Sequence, residues 1–576
     1  MFHNFPLYKM ATTIENTYIM MYPQYKDFPI ELFDETLYNF GIIKIDMATV
    51  PVDKRPIYIL FTVDTSISME ELCADGKSKM HHILNTFEHM IRFISQQTDA
   101  NVTICVDTFN LKINHIIPDT RVTAENAEEL IALVREIRPC DSTDIELALL
   151  NAQDKINRIH SSNAESDQTQ LFHVFLTDGE ANHGQTNPDK LVKLIQTEIS
   201  QNMFIGYGTT HNSKMLRTFG DTLTSKYVFI DHGENSGAVY GELMQRIMFP
   251  ALDATILDTS AEECLTGIEN GVSEIYNWKT NEWTTDVYIG SVDSGAELTF
   301  HIRTKNLETN NVYARIMGKI PGSSQMIGEN INCLPDLVDD NGAIVDENSD
   351  IIEKYMFRQR TLELMFECSN FRERDCHNMK RKLSDFFKKM HNYMRTQNRL
   401  MDPFMRLLCE DIVTCYRTLG TSVGQMYSAA RQGSQGQQTT FTPHYSDRVD
   451  VDTYDDHATS PFPNIPRRVN TCAYDDSIDV GSDEDEDSQA DIPFPTSPPV
   501  LQRRLTTTCP QTPLQNRWVN SSNNDTVAAK PPLDEDDIEN YVIISSSENV
   551  ENRVYSTPGR LNTISALKHG SSASNN

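Results

Sequence analysis

No run in this chain approaches the roughly 18 consecutive apolar residues of a membrane-spanning helix. The opening stretch MFHNFPLYKMATTIENTYIMMYPQYK is broken by polar and charged residues before a signal-peptide core could form. The expectation is a soluble protein with no membrane span. Cysteine is present 11 times but never as a CxxC pair, which excludes common zinc fingers and a disulfide framework and points to a reducing, cytoplasmic setting. Positive charge is scarce as well. Fifty Lys and Arg stand against 82 Asp and Glu, for a net charge of −32. The average field of such a protein repels nucleic acid and anionic lipid, so no nucleic-acid partner is expected, although local basic patches stay open. The length of 576 residues leads to an expectation of two or three folded units and not one, since one core stops growing well below that size.

What is present alternates. From residue 55 to residue 250, short apolar runs (IYILFTV, NVTICVDTF, QLFHVFLT, NMFIGYG, KYVFID) are separated by amphipathic stretches, the pattern of a parallel sheet with crossover helices. Ile83, Phe87, Met90, Ile91 and Ile94 recur at helical spacing between the first two runs. LKINHIIPD follows the second run too closely for a crossover and so reads as an antiparallel edge strand. The predicted fold class is α/β, a doubly wound, mostly parallel sheet. Around it are expected an N-terminal segment (1–54) contributing strands to a small antiparallel β-domain (251–349), a helical hairpin (350–430) broken near Asn398 to Pro403, and a disordered acidic tail rich in Ser, Thr and Pro (431–576). Within the hairpin, Cys368, Cys376 and His377 match no zinc spacing and read as ordinary helix residues.

Three motifs carry chemistry. VDTSIS places Asp64, Ser66 and Ser68 at the mouth of the first strand. CDSTDIELALL sets Thr143 in a polar loop before a helix, and LTDGEAN ends a buried strand in Asp178. Ligands collect outside the carboxyl ends of strands in a doubly wound sheet, where all three motifs project. Three hydroxyls and two carboxylates form the hard oxygen set that suits Mg²⁺. Two carboxylates balance the ion and hydroxyls add no charge, so appetite remains for one more anionic oxygen.

DxSxS, the Thr before a helix and TDG, in that order, resemble the von Willebrand factor A (vWA) domain. The resemblance covers residues 55–250 and implies a Rossmann-like sheet sandwiched by helices. It also implies a metal-ion-dependent adhesion site (MIDAS) built from Asp64, Ser66, Ser68, Thr143 and Asp178, holding Mg²⁺ or Mn²⁺. That ion would bind a protein ligand presenting an acidic residue. Two positions depart from the family pattern: Ile67 stands where Gly is common, and Asp141 and Ser142 stand where a Gly pair is common. The flanking regions are similar to vWA proteins that carry a RING finger and act as ubiquitin ligases. The chain has no RING, so only a scaffold or adaptor role carries over.

An enzyme is the weaker alternative. A phosphotransferase of the DxD type needs a second Asp where Ser66 stands, and a hydroxyl cannot shuttle that proton near neutral pH. DTSIS lacks the GxSxG elbow of a serine hydrolase. His173, inside a strand pattern, reads as a core histidine, and His183 as a rim residue beside the site. In the tail, DEDDIENYVIISSSENVE offers Tyr541, Val542, Ile543 and Ile544 between acids, a segment similar to motifs that add as a strand to ubiquitin-like modifiers.

Overall fold

The computed structural model describes residues 13–22, 38–443 with short breaks, 538, 541 and 554–569. Two strands, β1 (Ile14–Tyr22) and β2 (Tyr38–Met47), precede the α/β unit. That unit runs β3 (Pro56–Asp64), α1 (Lys79–Gln96), β4 (Asn101–Phe109), β5 (Ile113–Arg121), α2 (Ala127–Arg135), α3 (Ile145–Ser162) and β6 (Gln170–Thr177). It continues through α4 (Pro188–Leu191), β7 (Gln201–Tyr207), α5 (Ser213–Gly220), β8 (Ser225–Ile230) and α6 (Ser236–Met248). Its strands form one sheet in the order β5-β4-β3-β6-β7-β8, with every pair parallel except β4 and β5. The order reverses beside β3, which makes the sheet doubly wound and places the mouth of β3 at the switch point.

Local chemistry explains these elements. Eight of the nine residues of β3 are buried, so its near-continuous apolar run packs helices on both faces, as central parallel strands do. β5 is mostly exposed, and the Asn110 carboxamide closes its tight connection to β4 by accepting from the Lys112 amide at 2.9 Å. Helix α1 starts at Ser78, whose hydroxyl accepts from the His81 amide at 3.1 Å. It buries Ile83, Phe87, Met90, Ile91 and Ile94 against the sheet, each contributing about 1.5–3 kcal/mol by leaving water.

After the α/β unit come β9 (Pro250–Asp258), β10 (Val272–Asn277), β11 (Glu282–Thr284), β12 (Asp286–Asp293), β13 (Glu297–Lys305), β14 (Tyr313–Lys319) and β15 (Met326–Asn332). They form two antiparallel sheets, β1-β2-β13-β10-β11 and β12-β9-β14-β15. A shared core that includes Ile43, Ile45, Leu257, Ile302 and Ile316 lies between them. β2 pairs with β13 over nine residue pairs, from Asp46 opposite Glu297 to Tyr38 opposite Lys305.

The helical region holds α7 (Asp346–Ser369), α8 (Cys376–Thr396), α9 (Pro403–Thr418) and α10 (Gly424–Gln437). The break expected near Asn398 is there: Asn398 takes a left-handed conformation (φ 53°), and Asp402 caps α9 by accepting from the amides of Phe404 and Met405 at 2.9 and 3.2 Å. Two further breaks make four helices of the expected pair. One of them turns at Gly420, whose φ of 85° suits a residue without a Cβ. Leu362, Met365, Phe386, Met390, Met394 and Ile412 share one core.

The expected tail differs in its described part. α10 continues past residue 431, and a further helix, α11 (Pro558–His569), packs on α6 and α1. Ile564 and Leu567 enter the core of the α/β unit, and the His89 ring meets the Leu567 carbonyl at 2.5 Å. A helix of this polar a sequence gives little periodic signal. It is held by what it docks against.

Candidate metal site at the mouth of β3

β3 delivers Asp64 to the end of the sheet and buries it completely. One carboxylate oxygen accepts from the Ser66 amide at 2.7 Å and the other from the Thr177 hydroxyl at 2.5 Å. Burial pushes the Asp64 carboxyl up to about 6, against the pull of those hydrogen bonds, and the charge of Asp178 adds to the push.

The loop after Asp64 is pinned from two sides. The Cys140 amide donates to the Thr65 carbonyl at 2.6 Å, and the Ile67 amide to the Asp141 carbonyl at 3.1 Å. Asp141 sits at φ 63°, in the left-handed region where glycine is at ease and Asp is tolerated. Ile67 is 68 % exposed, so its bulk points away from the packed loop.

The pinned loop brings two hydroxyls beside the second carboxylate. The oxygens of Ser66 and Ser68 are 3.1 Å apart, and the Ser68 hydroxyl donates to Asp178 Oδ1 at 2.7 Å. Thr143 is buried, and its carbonyl receives the amides of Asn182 and His183 at 3.0 and 3.2 Å. Gly179 lies between the motifs: a Cβ there would stand 3.6 Å from Thr143 Oγ1 and 3.7 Å from Ser68 Oγ. The structure thus gathers all three motifs at one end of the sheet, with Ser68 touching both Ser66 and Asp178 and with Thr143 across Gly179 from Ser68.

The motif reading missed Lys79. Its ammonium is buried and donates to Asp178 Oδ2 at 2.7 Å and to Glu71 Oε2 at 2.6 Å. Burial pulls this amine down, and the charges and hydrogen bonds of Asp178 and Glu71 more than offset that, holding it above its ordinary value. Thr177 was missed too, although it directly precedes Asp178. Thr210 completes the set by donating to the Asp178 carbonyl at 3.2 Å.

The residues fit a hard divalent cation. In an octahedron with metal–oxygen bonds of about 2.1 Å, neighbouring oxygens stand about 3.0 Å apart. The 3.1 Å spacing of the Ser66 and Ser68 oxygens matches that edge length, and Asp178 Oδ1 stands 2.7 Å from Ser68, closer because the two share a hydrogen bond. The donor set is all oxygen. No group of three or more His, Cys, Asp or Glu gathers anywhere among the described residues, which leaves nothing that favours a soft metal.

Of the other positions read from sequence, His173 is buried with its Nε2 3.0 Å from the Thr62 hydroxyl, a core histidine. His183 is exposed beside Thr143. Tyr541 is half-buried, its ring edge-on to Phe387 at 5.3 Å, and its carbonyl accepts from Arg417 at 2.6 Å. Val542, Ile543 and Ile544 lie outside the described residues.

Sheet order and helical covering define a vWA-like α/β fold, joined to antiparallel sheets and helices. No protein-family model matches the chain. It is similar to inter-alpha-trypsin inhibitor heavy chain H3 of Bos taurus, with 23% identity over 164 residues, 28% of this chain and 17% of that protein. The same heavy chain of Rattus norvegicus is 28% identical over 101 residues, 17% of this chain and 11% of that one. The chain spans less than a fifth of the length of these curated relatives. Among solved structures it is similar to a von Willebrand factor type A protein from Catenulispora acidiphila, at 10% identity and a TM-score of 0.46, over 70% of this chain and 91% of that one. A mussel byssus proximal thread matrix protein with a zinc-occupied MIDAS motif matches 33% of this chain and 46% of its own, at 17% identity and a TM-score of 0.25.

Proposed function

We propose that the chain is a non-enzymatic interaction protein whose vWA head holds Mg²⁺, or Mn²⁺ in its place, through Asp64, Ser66, Ser68, Thr143 and Asp178. Such an ion supplies an electrophilic coordination position for a carboxylate of a protein partner. The observation that carries this reading is the oxygen spacing across Ser66, Ser68 and Asp178. Within that frame Asp64 and Asp178 supply charge, Thr177 and the Ser66 amide orient Asp64, and Lys79 holds Asp178 Oδ2 while Oδ1 faces the Ser68 hydroxyl.

The test is calorimetric titration of the full chain with MgCl₂ and MnCl₂. Wild type is expected to show one saturable site. The Asp64→Ala, Ser66→Ala double variant, checked for folding by circular dichroism, should show none, and equal uptake by both proteins would sink the assignment. Partner capture with and without EDTA then identifies the ligand protein.

A further inference from the structure

A second site lies where the vWA head meets the β-domain, α10 and α11. A cavity of about 90 Å³ opens there, where about 10–15 Å³ on the same measure holds one water. Four cationic side chains line it: Lys226 of β8, Arg246 of α6, Lys279 in the β10–β11 turn and Arg560 of α11. In a protein with 82 acidic residues, one lining carboxylate, Asp293, opposes them.

Asp293 is already engaged. Arg560 grips both of its oxygens, at 2.8 and 3.0 Å, and this pair holds the carboxyl down to about 2, burial working the other way. The remaining nearby acids are engaged elsewhere or exposed. Glu242 accepts from the Thr440 amide and stands 4.0 Å from Arg560, Asp253 pairs with Arg55 at 2.9 Å, and Asp221 is exposed. Lys279 reaches the Ser225 carbonyl at a long 3.5 Å and lies 6.0 Å from the centre of the Trp278 ring, with no carboxylate in ion-pair contact among the described residues. Lys226 and Arg246 have no hydrogen bond or ion pair among the described residues, and Arg246 Nε is buried without a partner.

Such an arrangement is unfavourable as it stands. Lys226, Arg246 and Lys279 are half-buried, so each is partly withdrawn from water without a compensating partner, and neighbouring cations add repulsion. Burial pulls Lys226 well below the ordinary lysine range, with the charges of Arg246 and Lys279 adding to the effect, and burial lowers Arg246 and Lys279 too. A dianion in the cavity would remove the repulsion and complete the missing hydrogen bonds. Three separate cationic arms, one of them a guanidinium fork, suit a tetrahedral group with several acceptor oxygens better than a flat carboxylate.

We infer that this cavity binds a phosphoryl group, carried by free phosphate or by a small phosphorylated molecule. The bound anion would tie β8 and α6 of the head to the β10–β11 turn and to α11, joining separate layers through one ligand. The inference does not depend on the metal site.

The test titrates the full chain by calorimetry with inorganic phosphate, pyrophosphate and inositol hexakisphosphate, alongside citrate and chloride at matched ionic strength. At least one phosphate probe should bind at a single site and raise the melting temperature above the chloride control. Which probe binds tightest separates free phosphate from a larger phosphorylated ligand. Lys226→Met and Arg246→Met should each weaken that binding at least tenfold. Both variants remove an unpartnered charge, so their melting temperatures without ligand should hold or rise, while Asp64→Ala should bind phosphate like wild type. No binding by any phosphate probe, equal binding of citrate, or unchanged affinity in both cavity variants would overturn the inference.

Discussion

At Asp178 one carboxylate oxygen faces the Ser68 hydroxyl and the other an ammonium. Lys79 thereby neutralises a charge that a divalent ion would otherwise have to itself. Replacing it by Met leaves Asp178 buried and uncompensated, and breaking a buried pair of this kind destabilises by about 3–5 kcal/mol. We predict that Lys79→Met melts earlier without metal and binds Mg²⁺ about tenfold tighter, a difference of about 1.4 kcal/mol. Calorimetry reads this directly, and an unchanged Mg²⁺ affinity would show that the ammonium does not compete. That the three motifs meet at one end of the sheet was legible because each carries a local signature, a strand running into Asp or a hydroxyl before a helix. Lys79 was not, because a lysine at the start of a helix looks solvated until the docking of α1 buries it.

At the scale of elements, the docking of α11 rests on a close approach to α6. A Cβ at Gly241 would come within 2.6 to 3.0 Å of Ile564, including its Cα and backbone nitrogen, so the neighbour cannot rotate away. Gly241→Ala is therefore expected to destabilise by about 1–3 kcal/mol, as overpacking does. Urea denaturation checks the magnitude. Limited proteolysis checks the cause, since cleavage within 554–569 should accelerate in the variant, and an unaltered cleavage rate would refute the packing argument. The strands of the α/β sheet could be read from sequence because buried apolar runs between amphipathic stretches leave little choice of topology. The edge strand β5 followed from its short connection alone. α11 could not be read in this way, since Ile564 and Leu567 become core only through the surface α6 offers them.

For the whole molecule, buried titrating groups set the response to acid. Burial holds the His173 imidazole down at about 4, against 6.5 for an exposed histidine. The unfolded chain thus takes up this proton first, and stability is lost as pH falls from about 6.5 towards 4. Several buried acids with raised values, Asp64 and Glu410 among them, act in the opposite direction, so a difference measurement is needed. Relative to His173→Gln, wild type should lose about 3 kcal/mol between pH 7 and pH 4. Parallel denaturation profiles across that range would mean that His173 accepts its proton in the folded state.

The pairing of β2 with β13 has a kinetic corollary. Residues Tyr38 to Met47 leave the ribosome long before Glu297 to Lys305 exist, and the entire head is synthesised in between. Until then one edge of β2 is a row of unpaired amides and carbonyls, an invitation to pair with a neighbouring nascent chain. Contacts this distant along the chain close slowly. Refolding from denaturant should accordingly show the head recovering first and the sandwich lagging, with yield falling as protein concentration rises.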